Sequence, residues 1–281
     1  MNKVIAIVGP TASGKTKLAI EMAKKLGTEI ISADSRLVYK GFDIGTAKPT
    51  KEEQQMVKHH MIDVVEPEYD FSVADFADEA RKIISNLHAH SKVPIVAGGT
   101  GLYFRILLEN YDMPRIEANP QLRADLEKRS NEELFAMLKE VDSISAEKIH
   151  QNNRVRVIRA LEVSLLAGTP FSSIKGIKNN EYEVEWVFPE LESREALYDR
   201  INKRVDAMIS EGLIEETKGL LVKHGKIKNL VNTIGYQEII EFLDNKISLE
   251  EAVEKIKQNT RRYAKRQLTW FRRNPNLHFD L

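Results

Sequence analysis

Short apolar runs alternate with segments of helical spacing in the N-terminal third of the chain. Residues 4–8 (VIAIV) read as a buried strand. Residues 14–26 read as a helix, with Leu18, Met22 and Leu26 four apart and Gly27 as its stop. Residues 29–33 (EIISA) form a second expected strand, ending at Asp34, and residues 61–65 a weaker third. A helix is expected over 73–88, with Phe76, Ala80, Ile83, Ile84 and Leu87 on one face. Residues 93–97 (VPIVA) give another buried strand, running into GGTG. This rhythm predicts a mostly parallel sheet with helices on its faces.

The rhythm then stops. Residues 112–180 show helical patterns and no strand. One helix is expected over 131–139 and another over 153–166, the latter with Val155, Ile158, Leu161 and Leu165 on one side. Residues 183–188 (EVEWVF) look like a strand returning to the sheet, followed by helices over 194–211, 213–224, 236–243 and 249–271. The expected organisation is an α/β core over 1–111, an all-helical insertion domain over 112–181, and a return to the core with C-terminal helices over 182–281.

Composition narrows this picture modestly. With 281 residues, 42% hydrophobic and 30% charged, a folded, soluble protein is expected. Without cysteine there is no disulfide, no thiolate metal site and no cysteine nucleophile. No leader is evident, and no apolar run approaches the roughly 20 residues of a membrane span, so a cytoplasmic location is expected. The formal net charge is zero, yet residues 255–273 hold eight Lys or Arg and no acid. A long anionic partner would meet such a local patch.

The sharpest chemical signal follows the first strand. Gly9-Pro10-Thr11-Ala12-Ser13-Gly14-Lys15-Thr16 fits G-x-x-x-x-G-K-[ST] at every fixed position. Between a strand and a helix, such a loop turns backbone N–H groups onto phosphate oxygens. Lys15 adds a point charge, and the Thr16 hydroxyl can hold Mg²⁺. The loop alone does not say whether phosphorus is transferred or a pyrophosphate leaves. Asp34 and Thr100 lie at carboxyl ends of expected strands, where an open parallel sheet places functional residues. Asp34 reads as a metal ligand, a general base or a turn cap. Thr100 sits in a glycine-rich turn open to close approach.

Several ordered motifs extend this reading: GPTASGKT (9–16), SADS followed by VYKGFDIGTAKP (32–49), HHMIDVVEP (59–67), FSVADF (71–76), GGTGLY (98–103), RALEV (159–163), IGYQE (234–238) and RRYAKRQLTWFR (261–272). As a set they closely resemble the bacterial tRNA dimethylallyltransferases, also called tRNA isopentenyltransferases, from the first strand almost to the C-terminus. The resemblance implies a P-loop NTPase-like α/β fold with a helical insertion. It implies transfer of the dimethylallyl group of dimethylallyl diphosphate to the exocyclic amine of the adenosine 3′-adjacent to the anticodon. The tRNAs would be those reading codons that begin with U, and pyrophosphate would leave.

The matched positions imply roles. Residues 9–16 would hold the diphosphate, with Mg²⁺ near Thr16. Asp34 would accept the proton of the attacking amine, and Thr100 would hydrogen-bond near the reacting centre. Arg200 and Arg204 would neutralise the departing pyrophosphate. Contacts to the tRNA anticodon stem-loop are expected from Asp34, Ser35, Arg36, Leu37 and Thr100. The insertion would add Arg123, Val155, Arg156, Val157, Ile158 and Arg159, with Arg154 beside them. The last helix would add Arg261, Arg262 and Arg266, its aromatics packing inward. The family usually has Met and Gln where this chain has Arg36 and Leu37, and Val155 replaces a common Gln; these departures bear on RNA sequence preference. His59 and His60 are expected to pack rather than bind metal, and a monomer is expected. The rival readings are a prenyltransferase of free adenine nucleotides and a P-loop small-molecule kinase.

Overall fold

The structure is a computed structural model that describes residues 2–109, 116–174, 181–277 and 279. The chain forms two compact units, Met1–Leu108 with Asn180–Leu281, and Glu109–Asn179. The expected boundary between 111 and 112 lies outside the described residues.

In the first unit β1 (Lys3–Val8), α1 (Lys15–Leu26), β2 (Ile30–Ala33), α2 (Lys51–Met56), β3 (His59–His60), α3 (Val73–Ala89), β4 (Ile95–Gly98) and α4 (Gly101–Leu108) follow in order. The second unit holds α5 (Pro120–Glu127), α6 (Asn131–Val141), α7 (Ser143–Lys148), α8 (Arg154–Ala167) and a 3₁₀ turn over Phe171–Ser173. The chain returns to the first unit with β5 (Glu183–Val187), α9 (Arg194–Ser210), α10 (Leu213–His224), α11 (Lys228–Val231), α12 (Tyr236–Leu243) and α13 (Leu249–Phe271).

The five strands are all parallel, in the order β3-β2-β4-β1-β5, and the fold is the P-loop NTPase-like α/β type. Strand alternation sorts the apolar runs onto two faces. Val4, Ala6, Val8, Ile31, Ala33 and Val96 pack with Phe76 and Ile84 of α3 and Phe104 and Leu107 of α4. Ile5, Ile7, Ile30 and Ile95 pack with Ala19, Ile20 and Ala23 of α1. Burial of both faces explains why these strands read as unbroken apolar runs.

Three expectations shift. The third strand is not residues 61–65 but the short β3, with only an isolated bridge from Tyr39 to Val65 beyond it. Met61 and Asp63 adopt φ of 64° and 54°, left-handed values that break an extended run. On α1 the buried residues are Ala19, Ile20 and Ala23, whereas Leu26 is exposed. On α8 Ile158 and Leu161 are buried as expected, but Val155 is 79% exposed and Leu165 is also exposed. The buried stripe is Val157, Ile158, Ala160, Leu161, Glu162, Val163 and Ser164. Two of these are polar, and apolar spacing cannot register polar groups that face inward.

Glu162 shows how a carboxylate is held there. Its Oε1 accepts from Arg123 Nε and Asn119 N at 2.8 Å each, and its Oε2 accepts from Arg123 Nη2 at 2.8 Å and Arg159 Nη1 at 2.5 Å. Burial works to raise its pKa, but these bonds hold it below the ordinary glutamate value.

Candidate active site

Sheet register brings the three loops to one place. Gly98, the last residue of β4, is level with Val8 of β1 on one side and Ala33 of β2 on the other. The segments that follow, 9–16, 34–37 and 99–100, therefore leave the carboxyl edge side by side. A Cβ on Gly98 would lie 2.2 Å from the Ala33 carbonyl oxygen, so the central strand needs glycine there.

The phosphate loop is built to receive an anion. Ala12 (φ 61°) and Gly14 (φ 86°) are left-handed, which turns successive amides inward. Helix α1 starts at Gly14 with no side-chain cap and no acid in its first turn. Helices α2, α3, α6 and α13, in contrast, each carry a Ser or Thr cap and early acids. The N-terminal N–H groups of α1 and its positive dipole end are thus left for a ligand. The Lys15 ammonium donates to Pro10 O and, at 3.4 Å, to Ser13 Oγ. Burial and the nearby Arg204 charge push its pKa down to about 7, against the opposing pull of Asp34.

A cavity of about 730 Å³ joins this loop to the segment that follows β2. Its lining includes residues 11–16, 34–37, Arg204 and Arg266. Asp34 Oδ1 accepts from Arg36 N at 2.8 Å, so the turn-cap role and a cavity position coexist in one side chain. Thr100 does not line the cavity itself. Its Oγ1 accepts from Ser35 N at 3.2 Å. Burial and the Asp34 carboxylate raise the pKa of Tyr263. Tyr103 is raised by the same two causes. Both phenols are therefore neutral.

Among the arginines, Arg204 reaches the loop, with Nη1 3.4 Å from Thr11 Oγ1. Arg200 does not line the cavity, and its buried Nε has no partner among the described residues. Arg36 donates to Asn232 O at 3.3 Å, across the cavity rim.

Further expected contact residues have other tasks. Val157 and Ile158 lie in the core of the second unit, so their side chains are not at its surface. Arg123 and Arg159 clamp Glu162. Arg154 donates to Glu127 Oε2, Asn131 Oδ1 and the carbonyls of Glu127 and Arg129. Val155 and Arg156 are exposed. Arg261 is braced by Asn202 at 2.6 Å and Glu254 at 3.0 Å, while Arg262 and Arg266 are exposed. His60 Nε2 lies 2.7 Å from Glu29 Oε2 and His59 Nδ1 2.8 Å from Val57 O, both at the sheet edge.

Gln267, Asn259 and Asn232 also line the cavity, and sequence reasoning did not single them out. Tyr263 lines it too, where inward packing was the expectation. Gln267 stands in the RRYAKRQLTWFR motif, between the arginines and aromatics that carry its pattern. Gly98 and Gly99 of the glycine-rich turn line the cavity. The turn also takes a close approach from helix α13: a Cβ on Gly99 would lie 2.1 Å from Gln267 Nε2, and one on Gly101 2.1 Å from Trp270 Cδ1.

A family model described as IPP transferase matches residues 37–274, beginning just after the phosphate loop and Asp34. The tRNA dimethylallyltransferase of Alkaliphilus oremlandii is 49% identical over 286 residues, covering 99% of this chain and 90% of that one. The protein of the same description from Caldanaerobacter subterraneus subsp. tengcongensis is 46% identical over 279 residues, covering 96% and 89%. The crystal structure of the full-length tRNA isopentenylpyrophosphate transferase from Bacillus halodurans superposes with a TM-score of 0.71 at 43% identity, over 98% of this chain and 88% of that one. A eukaryotic dimethylallyltransferase, captured in crystallographic snapshots acting on tRNA, gives a TM-score of 0.84 at 30% identity, over 96% and 70%. Similarity that runs nearly end to end takes in the phosphate loop and Asp34 as well as the matched region, and the chain belongs to the IPP transferase family of prenyl-transferring enzymes.

Proposed function

We propose that the protein transfers a dimethylallyl group from dimethylallyl diphosphate to the exocyclic amine of the adenosine 3′-adjacent to the anticodon. The acceptors are tRNAs that read codons beginning with U. The observation that carries this reading is one cavity lined by both an anion cradle, residues 11–16, and a carboxylate, Asp34. A phosphoryl-transfer enzyme can use the same pair, and membership of the IPP transferase family favours carbon transfer to a weak amine nucleophile.

In the reaction the C1–O bond of the donor breaks and a bond from C1 to the adenine amine nitrogen forms. The amine proton passes to Asp34, and pyrophosphate leaves with the electron pair of the broken bond. An exocyclic amine is a poor nucleophile because its lone pair is delocalised into the ring, so removal of its proton as the new bond forms lowers the barrier. Lys15, Arg204 and the amides of the phosphate loop stabilise charge that grows on the leaving oxygens. Thr100, whose Oγ1 accepts from Ser35 N and whose N donates to Ala33 O, keeps the Asp34 segment in place against β4. The donor set fits Mg²⁺: the Thr16 hydroxyl lines the cavity at the start of α1, and the diphosphate supplies further oxygens. When bound, the ion adds positive charge beside the leaving group. The target base has to leave its stack to enter such a cavity. A cytoplasmic monomer accords with this reading.

The test is transfer of label from dimethylallyl diphosphate, with Mg²⁺, to total tRNA or to adenosine monophosphate offered separately. Label in tRNA only is the expected result. Label in the mononucleotide would reassign the acceptor, and ATP hydrolysis without transfer would sink the reading. Asp34→Ala should cut turnover by about 10²–10⁴-fold and leave tRNA affinity, measured by filter binding and spread over many other contacts, nearly unchanged.

A further inference from the structure

Gln267 sits on the inner face of α13, 5% exposed, and both ends of its amide are committed to backbone. Its Oε1 accepts from Thr11 N of the phosphate loop at 2.9 Å. Its Nε2 donates to Gly99 O at 3.0 Å, one residue before Thr100. The two bonds fix the orientation of the amide, since Thr11 N can only donate and Gly99 O can only accept. A carboxamide of this length satisfies both; a carboxylate satisfies the first alone, and a thioether neither. The missing Cβ of Gly99 leaves the space that the amide fills.

The chemistry has two halves that must stay in line. The phosphate loop holds the leaving group, and the turn at Gly99–Thr100 backs the segment that carries Asp34. We propose that Gln267 is a positioning residue that fixes the spacing of these two halves by tying the phosphate loop to the Gly99–Thr100 turn. This rests on the transfer reaction proposed above. Gln267 acts through the two backbones it holds, so its loss should misalign donor and acceptor and leave each able to bind. The neighbouring Arg266 is exposed on the same helix and lines the cavity, so the strut hangs from an element that also meets the acceptor side.

The experiment compares wild type, Gln267→Met and Gln267→Glu in steady-state transfer to tRNA, with amide hydrogen exchange at Thr11 followed alongside. Gln267→Met should lose about 10²-fold in kcat while the KM for dimethylallyl diphosphate moves less than about threefold. Exchange at the Thr11 amide should quicken, because its acceptor is gone. Gln267→Glu should be as slow as Gln267→Met at pH 8.5. Its activity relative to wild type should rise as the pH falls toward 6, when the protonated carboxyl can again donate to Gly99 O. A role in packing alone would not produce that pH-dependent rescue. The proposal is overturned if Gln267→Met keeps kcat within about twofold of wild type, if KM rises with kcat intact, or if the Gln267→Glu ratio is flat across pH. Should Gln267→Met fail to fold, the Gln267→Glu profile decides. A wild-type chain that transfers no label fails the functional reading itself, and the proposal with it, whatever the exchange data show.

Discussion

At the scale of single residues, the phosphate loop exposes its chemistry through Lys15. An ordinary lysine at 10.5 is charged at neutral pH; here burial brings it to about 7. In the proposed reaction the charged form is the one that would bind a diphosphate oxygen. Above pH 7 the free protein must therefore take up a proton together with the donor, and affinity should fall by about tenfold per pH unit until the bound-state pKa is reached. Titration calorimetry of dimethylallyl diphosphate in two buffers of different ionisation enthalpy will read this uptake directly. Lys15→Arg, whose guanidinium stays charged, should flatten the profile; an unchanged slope in that variant would remove Lys15 as its source. The motif pointed to this residue from the sequence, because the fixed positions of a phosphate loop are local. The same is true of Asp34 and Thr100, which sit at strand ends. Gln267 was not legible in that way. Its partners, Thr11 and Gly99, lie far from it along the chain, and no local pattern marks a side chain that serves two distant backbones.

At the scale of elements, apolar spacing located the four longer strands and most of the helices. It failed where polar groups face inward or where the backbone turns back on itself. The stripe of α8 was misplaced because Glu162 is buried among arginines. Helix α4 was missed because its first residue belongs to a Gly-Gly-Thr-Gly stretch that looks like a turn. Helix α2 buries no side chain, although its capping box at Thr50 and Glu53 was readable. The edge of the sheet offers a test. Glu29, just before β2, meets His60 of β3 at 2.7 Å and Lys92 at 3.0 Å. Burial alone would raise its pKa, but the bonds from His60 and Lys92 and the charge of Lys58 bring it down to about 2, against 4.5 ordinarily. The unfolded chain therefore binds this proton more readily. The stabilisation is complete above pH 4.5 and is lost as pH falls through about 2. Urea melts between pH 6 and pH 3 should show Glu29→Gln losing the part of the slope that this carboxylate supplies. Parallel slopes for variant and wild type would assign the acid sensitivity elsewhere.

At the scale of the whole molecule, 42 basic and 42 acidic residues cancel, so any grip on RNA depends on where charges go unpaired. Along α13 the early bases are spent: Lys255 on Glu241, Lys257 on Asp206 and Arg261 on Glu254. Arg262, Lys265 and Arg266 are exposed and, among the described residues, have no ion pair. Composition revealed the basic run but could not separate these two groups, because pairing is decided by neighbours on other helices. Replacing Arg262 and Arg266 with Gln should weaken tRNA binding and reduce the slope of log affinity against log salt by about 0.7–0.9 for each phosphate no longer neutralised. Arg261→Gln should leave that slope nearly unchanged, and equal effects from all three would argue against the division.

The place of β5 in the sheet has a consequence for synthesis. Strand β1 lies between β4 and β5, yet β5 ends at Val187 and the last helix at Phe271. At about 5–20 residues per second, roughly ten to thirty-five seconds separate the emergence of β1 from that of its second neighbour. For that interval one edge of an apolar strand stands unpaired, a hazard that a nascent chain meets with help from chaperones or by delaying its collapse. Ribosomes stalled before α13 would display a phosphate loop and Asp34 without the Gln267 amide that joins Thr11 to Gly99. The first third of this chain carries most of the proposed chemistry, and α13, more than 150 residues later, braces it.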